Sequence, residues 1–445
     1  MFSTIPRILY TNNLLLHTAF AISLSLLLPL IKIPLLFLHG HHTYIHPDDV
    51  NPGGGAASAG GVRAAIRRPS AADSDNPKPR KKSKEKFEFD ESKAQIFRLK
   101  LSEGHLQSRI YFKEFYSFIN SSLIALSSLL LHRFLQKDDE RSVGVLENGA
   151  IIPLLLGLVS LFRTLFLIIK VGFERSASKK LEKQLSFVFG VLGFFLGLCV
   201  VVGVFPNWIL EFRFDSYDVL TRICVAVFMG CIVGYLYIPS LRNARAFWVG
   251  TDQIRCNLSI ISSGLLSKTV VYAAFVAPVF VSLLWISPFS ELLVAGDDRK
   301  FGLVGSRLDF YAFRDRCLLV AALLQLLAAR PNVQTFLNEA VLCWYQRLHG
   351  GRVPELDYSR AKVFLHNHYL CLVAVQFVAP PVVVVLLLAL SQLEDRFGEG
   401  VRGVFPYSVL ARDVTVFVSW WIVFVSAVFS SATVGFYRRG SMYVS

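Results

Sequence analysis

The sequence predicts an all-α fold: a polytopic integral membrane helix bundle of about nine spans (eight to ten), with kinked helices and interfacial helices. The first observation behind this prediction is composition. Of 445 residues, 53% are hydrophobic and only 18% are charged, whereas a typical soluble domain is about 25% charged. So few charges cannot cover several water-facing surfaces, which argues against a soluble enzyme, a disordered protein or a fibrous repeat.

The second observation is a set of nine apolar stretches, each near the roughly 20 residues that a helix needs to cross about 30 Å of hydrocarbon. They run over about 14–38, 115–134, 149–171, 185–206, 220–239, 269–288, 310–329, 369–391 and 414–437. Helices are expected because lipid offers no water to satisfy backbone groups. The ten-residue alternating strands of a membrane barrel are absent from the sequence.

Two of these stretches are atypical. The first contains Lys32 and resembles a signal peptide, but no small-x-small cleavage site follows it, so we expect a retained anchor or a re-entrant segment. The seventh opens with Arg314, Asp315 and Arg316. We expect that span to be tilted or enclosed by protein.

The chain divides into an N-terminal apolar anchor segment over 1–38, a flexible basic polar loop over 39–111 and a multi-span helical membrane domain over 112–445. The loop has low apolar content and contains the basic run from Lys78 to Lys86, which favours disorder. A nuclear signal or a nucleic-acid patch is an alternative for that run. In a chain anchored in a membrane, contact with anionic cytosolic lipid is simpler, and no nucleic-acid partner is expected.

We attribute the net charge of +14 mainly to the membrane topology of the chain, that is, to the side of the membrane on which each loop lies. With nine spans, the side of the membrane that holds the long loop carries more Lys and Arg than the other side. The positive-inside rule then predicts that the 39–111 loop and the C-terminus are cytosolic.

No motif for catalysis or cofactor binding was found. The sequence lacks a Walker loop, a dinucleotide-binding glycine fingerprint, G-x-S-x-G and H-E-x-x-H. We therefore expect no enzyme activity, no cofactor and no catalytic residues. Four histidines, His39, His41, His42 and His46, could ligate a transition metal. They lie in polar sequence without cysteine partners, so no metal site is predicted.

Polar groups at membrane depth form the first candidate site. Arg163 lies near the middle of the third span, where a charge is unfavourable by several kcal/mol and usually faces protein or a water cavity. We expect it to be paired, because the nearer span end is about 12 Å away along the helix. Asn120, Gln325 and Gln376 are further candidates, with ordinary interhelical hydrogen bonding as the alternative.

Two prolines extend this candidate site. Pro278 in the sixth span and Pro380 in the eighth each end a Phe-Val-Ala-Pro sequence. Proline frees a carbonyl one turn earlier, and broken helices often line transporter substrate sites. Two ordinary kinked helices are the alternative.

A candidate cytosolic interface follows the fifth and seventh spans. Arg242 and Arg245 are three residues apart and share one helix face, and the segment from Arg330 to Arg347, which includes Asn338, has apolar residues at helical spacing. Each segment is predicted to be a helix at the membrane interface. Packing of these segments on the cytosolic face of the bundle is the simpler interpretation, and we prefer it.

Several sequence blocks resemble the transmembrane protein 161 family. They follow one another in the same order over most of the chain, and they are Tyr44–Asp49, Arg163, Ile238–Ala244, Ala277–Phe280, Leu283–Pro288, Gln334–Ala340, Tyr369–Cys371, Gln376–Pro380, Trp420–Trp421 and Phe436–Tyr437. The insert from about Pro52 to Lys100 does not align, and the loop before the last span is short. The resemblance implies a multi-pass membrane protein associated with regulation of ion currents and stress responses, and it supplies no catalytic or ligand residues.

The main functional hypothesis is a non-enzymatic membrane protein that regulates or scaffolds membrane ion transport or stress signalling. Its partners would be the lipid bilayer and an unidentified membrane protein, bound near Arg242 and Arg330. The alternative is a carrier or channel with a polar midplane site around Arg163, Gln376 and Pro380.

Overall fold

The computed structural model describes residues 14–45, 63–64, 97–135, 150–174, 180–204, 212, 217–251, 264–293, 307–349, 356–394 and 408–442. In chain order these residues form α1 (Leu14–Ile31), α2 (Ile33–Leu38), β1 (His42–Ile45), β2 (Arg63–Ala64), β3 (Phe97–Lys100), α3 (Glu103–Gln107), α4 (Phe112–Leu135), α5 (Ile151–Phe173), α6 (Lys180–Val202), α7 (Val219–Thr251), α8 (Leu265–Leu283), α9 (Ser287–Leu293), α10 (Arg307–His349), α11 (Leu356–His368), α12 (Leu370–Glu394) and α13 (Ser408–Arg438).

Eight helices in the described part of the chain are long and apolar enough to cross a membrane: α1, α4, α5, α6, α7, α8, α12 and α13. They coincide with eight of the nine predicted spans, and the predicted all-α polytopic bundle is confirmed. The other predicted span, 310–329, lies inside α10. That helix has 43 residues and is therefore about 65 Å long, more than twice the thickness of the hydrocarbon core.

The two predicted interfacial helices are not separate elements. The residues after Pro239 continue α7, and those after Arg330 continue α10, with Pro239 and Pro331 inside the respective helices. The physical reason is that their polar side chains find partners on neighbouring elements, as described below. They do not need to lie among lipid headgroups.

α12 is the central helix of the bundle. Nearly every side chain from Leu370 to Leu393 is buried, and the helix contacts α4, α5, α10 and α13. One buried apolar cluster joins α12 to α4 and α5, and a second joins it to α7 and α13. A helix that is apolar on all sides is expected in such a fully enclosed position.

The closest helix pair is α6 with α7, and glycines allow the approach. A Cβ atom at Gly193 would lie 2.5 Å from Cγ2 of Val233, and one at Gly230 would lie 2.9 Å from the carbonyl oxygen of Gly190. The Ser186 hydroxyl donates a hydrogen bond to the backbone carbonyl of Gly234 at 2.5 Å. Small residues at such contacts let membrane helices pack by their backbones.

Three short strands of the 39–111 segment, two near its ends and β2 between them in sequence, form an antiparallel sheet with strand order β1-β3-β2, in which Thr43 is opposite Leu99. We predicted a flexible loop over this whole segment. Its ends are instead ordered against the bundle because Tyr44, Leu99 and Leu106 bury nearly all of their surface. The basic run from Lys78 to Lys86 lies outside the described residues.

Candidate functional site

Polar side chains from β1, α7, α10 and α11 meet at one end of the bundle. We name this cluster the polar junction, and its members are Thr43, Tyr44, Arg245, Gln334, Asn338, Glu339, His366 and Asn367. The C-terminal half of α10 contributes three of the eight, because Gln334, Asn338 and Glu339 lie on adjacent turns. The junction therefore ties the long helices to the strand that follows the first span.

The Gln334 amide binds the backbone of β1 from the side that β3 does not cover. Its Oε1 accepts a hydrogen bond from the His42 N–H at 2.9 Å, and its Nε2 donates to the His42 carbonyl at 3.0 Å. The same Nε2 also donates to Asn338 Oδ1 at 2.8 Å. An open strand edge is thereby closed by a side chain rather than by another strand.

Tyr44 and Asn367 complete the attachment of β1. The Tyr44 hydroxyl donates to Asn338 Oδ1 at 3.0 Å, and burial raises the pKa of that hydroxyl to about 12, so it remains a donor at any physiological pH. Asn367 Nδ2 donates to the Tyr44 carbonyl at 2.8 Å, and Asn367 Oδ1 accepts a hydrogen bond from the Thr43 hydroxyl. Strand β1 is thus held by both α10 and α11.

Glu339 is the charged centre of the junction. It is 6% exposed, forms an ion pair with Arg245 of α7, and lies 3.8 Å from Nε2 of His366. Burial by itself raises the pKa of the Glu339 carboxyl, but the Arg245 charge and the His366 ring outweigh it and lower that pKa to about 2. The carboxylate is therefore ionised, and it links α7, α10 and α11.

His41 joins α2 to α10 just before the junction. Its Nδ1 lies 2.9 Å from the Leu38 carbonyl oxygen, and its Nε2 lies 3.1 Å from the Arg330 carbonyl oxygen. Burial lowers the pKa of His41, although both carbonyls favour the protonated ring. A neutral ring can donate to only one of these oxygens.

The predicted histidine cluster does not form a metal site in the part of the chain that the structure describes. His39 is exposed, whereas His41 is buried against carbonyl oxygens, and His46 lies outside the described residues. Among those residues, no three His, Cys, Asp or Glu side chains are grouped as metal ligands would be.

The structure separates the residues of the predicted intramembrane site. Arg163 is on the exposed face of α5 and donates a hydrogen bond to the Ser117 hydroxyl of α4, a partner that we did not predict. Gln376 and Pro380 are buried in the central helix α12, and Gln376 Oε1 has no hydrogen-bond partner among the described residues. Asn120 lies on α4, and its Oδ1 is likewise buried and unmatched.

The position of Arg163 follows from the polar groups around it. Lys170, two turns further along α5, pairs with Glu114 at 2.9 Å. Arg163 with Ser117 and Lys170 with Glu114 thus form two polar contacts along the outer α4–α5 groove. Paired across this groove, Arg163 does not need to enter the bundle, contrary to our expectation that it faces protein or a water cavity.

Gln325 and Pro278 are brought together in a recess between α7, α8, α10 and α13. The recess contains about 470 Å³ of empty space, part of which is open to the surroundings. Seven of the residues that line the recess are apolar. The other five are polar and uncharged: Asn243, Gln325, Asn332, Ser426 and Ser430. Two of the six predicted intramembrane residues therefore share a site, without Arg163 or Gln376.

The four residues predicted as a cytosolic interface have different positions. Arg245 and Asn338 are inside the polar junction, and Arg242 is near the carboxylates of Glu339 and Glu182. Arg330 is exposed, and its Nη2 lies 3.4 Å from the His39 carbonyl oxygen, to which it donates. Of the four, Arg330 is the one on the surface, whereas the others join elements of the protein.

Two buried features were missed by sequence reasoning. Arg314 is 6% exposed, and its guanidinium carbon lies 4.7 Å and 4.6 Å from the ring centroids of Trp285 and Tyr311, a cation–π arrangement. The i, i+3 spacing of Tyr311 and Arg314 was an available signal. His17 and His132 form a buried pair with ring nitrogens 3.3 Å apart, and nothing local in the sequence indicates that pair.

Comparison with known proteins gives one family. Residues 216–398 match the family described as predicted transmembrane protein 161AB. This match agrees with the resemblance of the chain to the transmembrane protein 161 family. No solved structure matches the chain. The family match and the eight apolar helices together identify an integral, multi-pass membrane protein.

The stretch that matches the family runs from α7 to α12. It contains all the members of the polar junction except Thr43 and Tyr44. Three of the sequence blocks that resemble the family, those starting at Tyr44, Ile238 and Gln334, lie next to one another in the structure. Part of the family pattern, three of the ten blocks, therefore maps to the joint between α7, α10, α11 and β1.

Proposed function

We propose that this protein is a non-enzymatic regulator or scaffold of membrane ion transport or stress signalling, which acts by binding another membrane protein. The observation that carries the proposal is the polar junction. Its donors and acceptors are used within the protein to fix four elements against one another. Such a buried, mutually bonded network rigidifies its surroundings, which suits a docking platform better than a site of chemistry.

The proposed contact surface is the exposed side of this platform. Arg330 is exposed, and α11 presents Phe364 and Leu365, which are 57% and 42% exposed. An exposed arginine and large exposed apolar side chains, carried by two of the elements that the junction joins, are residue types enriched at the centre of protein interfaces. By the positive-inside rule this surface is cytosolic, and the run from Lys78 to Lys86 remains a prediction for anionic lipid contact.

The proposal is tested by recording whole-cell ion currents in cells that lack the endogenous protein and express it from a plasmid. Wild type is expected to change a current, and Arg330→Glu is expected to reduce that change at least by half at equal surface abundance. Arg439→Glu is the matched control, because Arg439 is also exposed but lies at the end of α13. Equal effects of wild type and Arg330→Glu would contradict the proposed contact surface.

A carrier or channel is the second candidate function. The observation that favours it is the recess lined by Pro278 and Gln325, because a proline inside a membrane helix frees a backbone carbonyl, and freed carbonyls line many transporter sites. Purified protein in liposomes would then move ions or solutes, and Gln325→Leu would reduce that flux. Flux abolished by Arg163→Ala would instead support the site first predicted around Arg163. Strong flux from the purified protein would overturn the regulator proposal.

A further inference from the structure

The recess between α7, α8, α10 and α13 contains a hydrogen-bond acceptor that the protein leaves unmatched. Asn332 is 8% exposed, and its Nδ2 donates to Asn243 Oδ1 at 3.0 Å. The Oδ1 atom of Asn332 has no partner among the described residues. An unmatched buried acceptor is unfavourable, so a ligand that brings a donor to this atom would be bound.

A proline provides a second acceptor in the same recess. Pro278 lies inside α8 and has no N–H, so it cannot donate to the carbonyl one turn earlier, at Ala274. Both Pro278 and Ala274 line the recess. The recess thus offers a side-chain oxygen and a backbone oxygen, which favours a ligand with a hydroxyl group.

The ligand is expected to be uncharged. None of the residues that line the recess is ionisable, and the nearby Arg245 forms an ion pair with Glu339. A charged headgroup would lose its hydration in the recess without gaining a counter-charge, which is strongly unfavourable. A hydroxyl group meets no such penalty.

The surroundings of the recess indicate that the ligand comes from the bilayer. Four exposed residues next to its lining are apolar or aromatic: Tyr272 and Val276 on α8, Leu327 on α10 and Val428 on α13. In an integral membrane protein such side chains face acyl chains. The wall of the recess includes the stacked rings of Phe247 and Phe275, whose centroids are 4.1 Å apart and which suit a hydrocarbon body.

We propose that this recess binds the hydroxyl end of a neutral membrane lipid, either a sterol or a diacylglycerol. The lipid hydroxyl donates to Asn332 Oδ1, and its hydrocarbon body lies along Phe247 and Phe275. The space that a water-sized group can occupy in the recess is about 40 Å³, which is enough for a hydroxyl group, while the rest of the lipid stays in the bilayer. The site is independent of the partner-binding function proposed above.

The test is photolabelling of the full-length protein in lipid nanodiscs. One arm uses a photoreactive cholesterol and the other a photoreactive diacylglycerol, and labelled peptides are identified by mass spectrometry. We expect one of the two probes to label peptides of α8 and α10. An excess of the same unlabelled lipid should compete, and an excess of phosphatidylserine should not.

Three variants sharpen this test. Asn332→Leu is expected to lower labelling about fivefold, the effect of one lost hydrogen bond. Ala274→Phe fills the recess without removing a hydrogen bond of the folded protein, and it should abolish labelling. Gln376→Leu is the matched control, because it removes a buried amide of α12 outside the recess and should leave labelling unchanged.

The proposal has clear contrary outcomes. It is overturned if neither probe labels α8 or α10, if phosphatidylserine competes as well as the neutral lipid, or if Ala274→Phe is labelled like wild type. Monodisperse elution and an unchanged unfolding temperature of each variant separate loss of binding from loss of folding. If Asn332→Leu does not fold, Ala274→Phe decides the question.

Discussion

Replacing Glu339 by glutamine probes the polar junction most directly. The change keeps the shape of the side chain but removes its charge, so the Arg245 guanidinium is left without its anion. A pKa lowered from 4.5 to about 2 corresponds to about 3 kcal/mol of stability at neutral pH. Breaking a buried ion pair by removing one partner typically costs about 3–5 kcal/mol, in agreement with that figure.

Thermal unfolding of the purified protein, followed by tryptophan fluorescence, measures this effect. We expect Glu339→Gln to lower the unfolding midpoint by about 5 °C or more. Glu103→Gln is the matched control: Glu103 pairs with Lys32 at 2.6 Å, but both side chains are about half exposed, and an exposed pair of this kind contributes little to stability.

The pH dependence supplies an independent check. Because the pKa of Glu339 is depressed in the folded state, its stabilisation is complete above pH 4.5 and is lost as the pH falls toward 2. The difference between wild type and Glu339→Gln should therefore shrink below pH 4.5. If Glu339→Gln unfolds like wild type at pH 7, the buried ion pair does not hold the helices together and the reasoning is refuted.

Three further predictions concern other parts of the molecule. Gly193→Ala should destabilise the protein by about 2 kcal/mol, because the new Cβ atom meets Val233. The control Gly435→Ala, which has nothing near the new atom, should be neutral or slightly stabilising. Equal unfolding midpoints of the two variants would contradict the glycine packing. Burial lowers the pKa of His41 below 6.5, so the stability that the neutral ring provides should be complete above pH 6.5 and lost as the pH falls. If a His41→Gln variant loses stability in acid as wild type does, His41 is not the source of that loss. Arg163→Gln should shift the unfolding midpoint by less than 2 °C, because Arg163 is exposed with one side-chain partner, and a large loss of stability would show that it is buried in the functional state.

The order of the membrane helices, and their number to within one, could be predicted from the sequence because each span is a long apolar run. Which side of each span faces protein could not be predicted, because the lipid-facing and protein-facing sides of a membrane helix are both apolar. α12 is the clearest case, since its Val- and Leu-rich sequence identifies a span but not the centre of the bundle. Arg163 was expected to point inward because a charge at membrane depth is unfavourable, whereas it pairs with Ser117 in an outer groove.

The polar junction was only partly predictable. Helical spacing correctly placed Arg242 and Arg245 on one face, and the segment after Arg330 is helical as expected. Their partner Glu339 could not be chosen from the sequence, because the pairing depends on how α7 and α10 cross. The attachment of β1 was missed because composition suggested a flexible loop, although Tyr44 and Leu99 are buried apolar anchors.

The central position of α12 constrains the order in which the protein is assembled during synthesis. Helices α4, α5 and α10, which surround α12, are translated before it and leave the ribosome while their common neighbour does not yet exist. α4 and α5 contact each other directly, but the surfaces that these helices bury against α12 stay open, or are covered by acyl chains that are later displaced, until residues 370–394 enter the membrane. The bundle therefore cannot close progressively from the N-terminus. Closure waits for the last part of the chain, and a product truncated before α12 has the outer helices without the element that joins them.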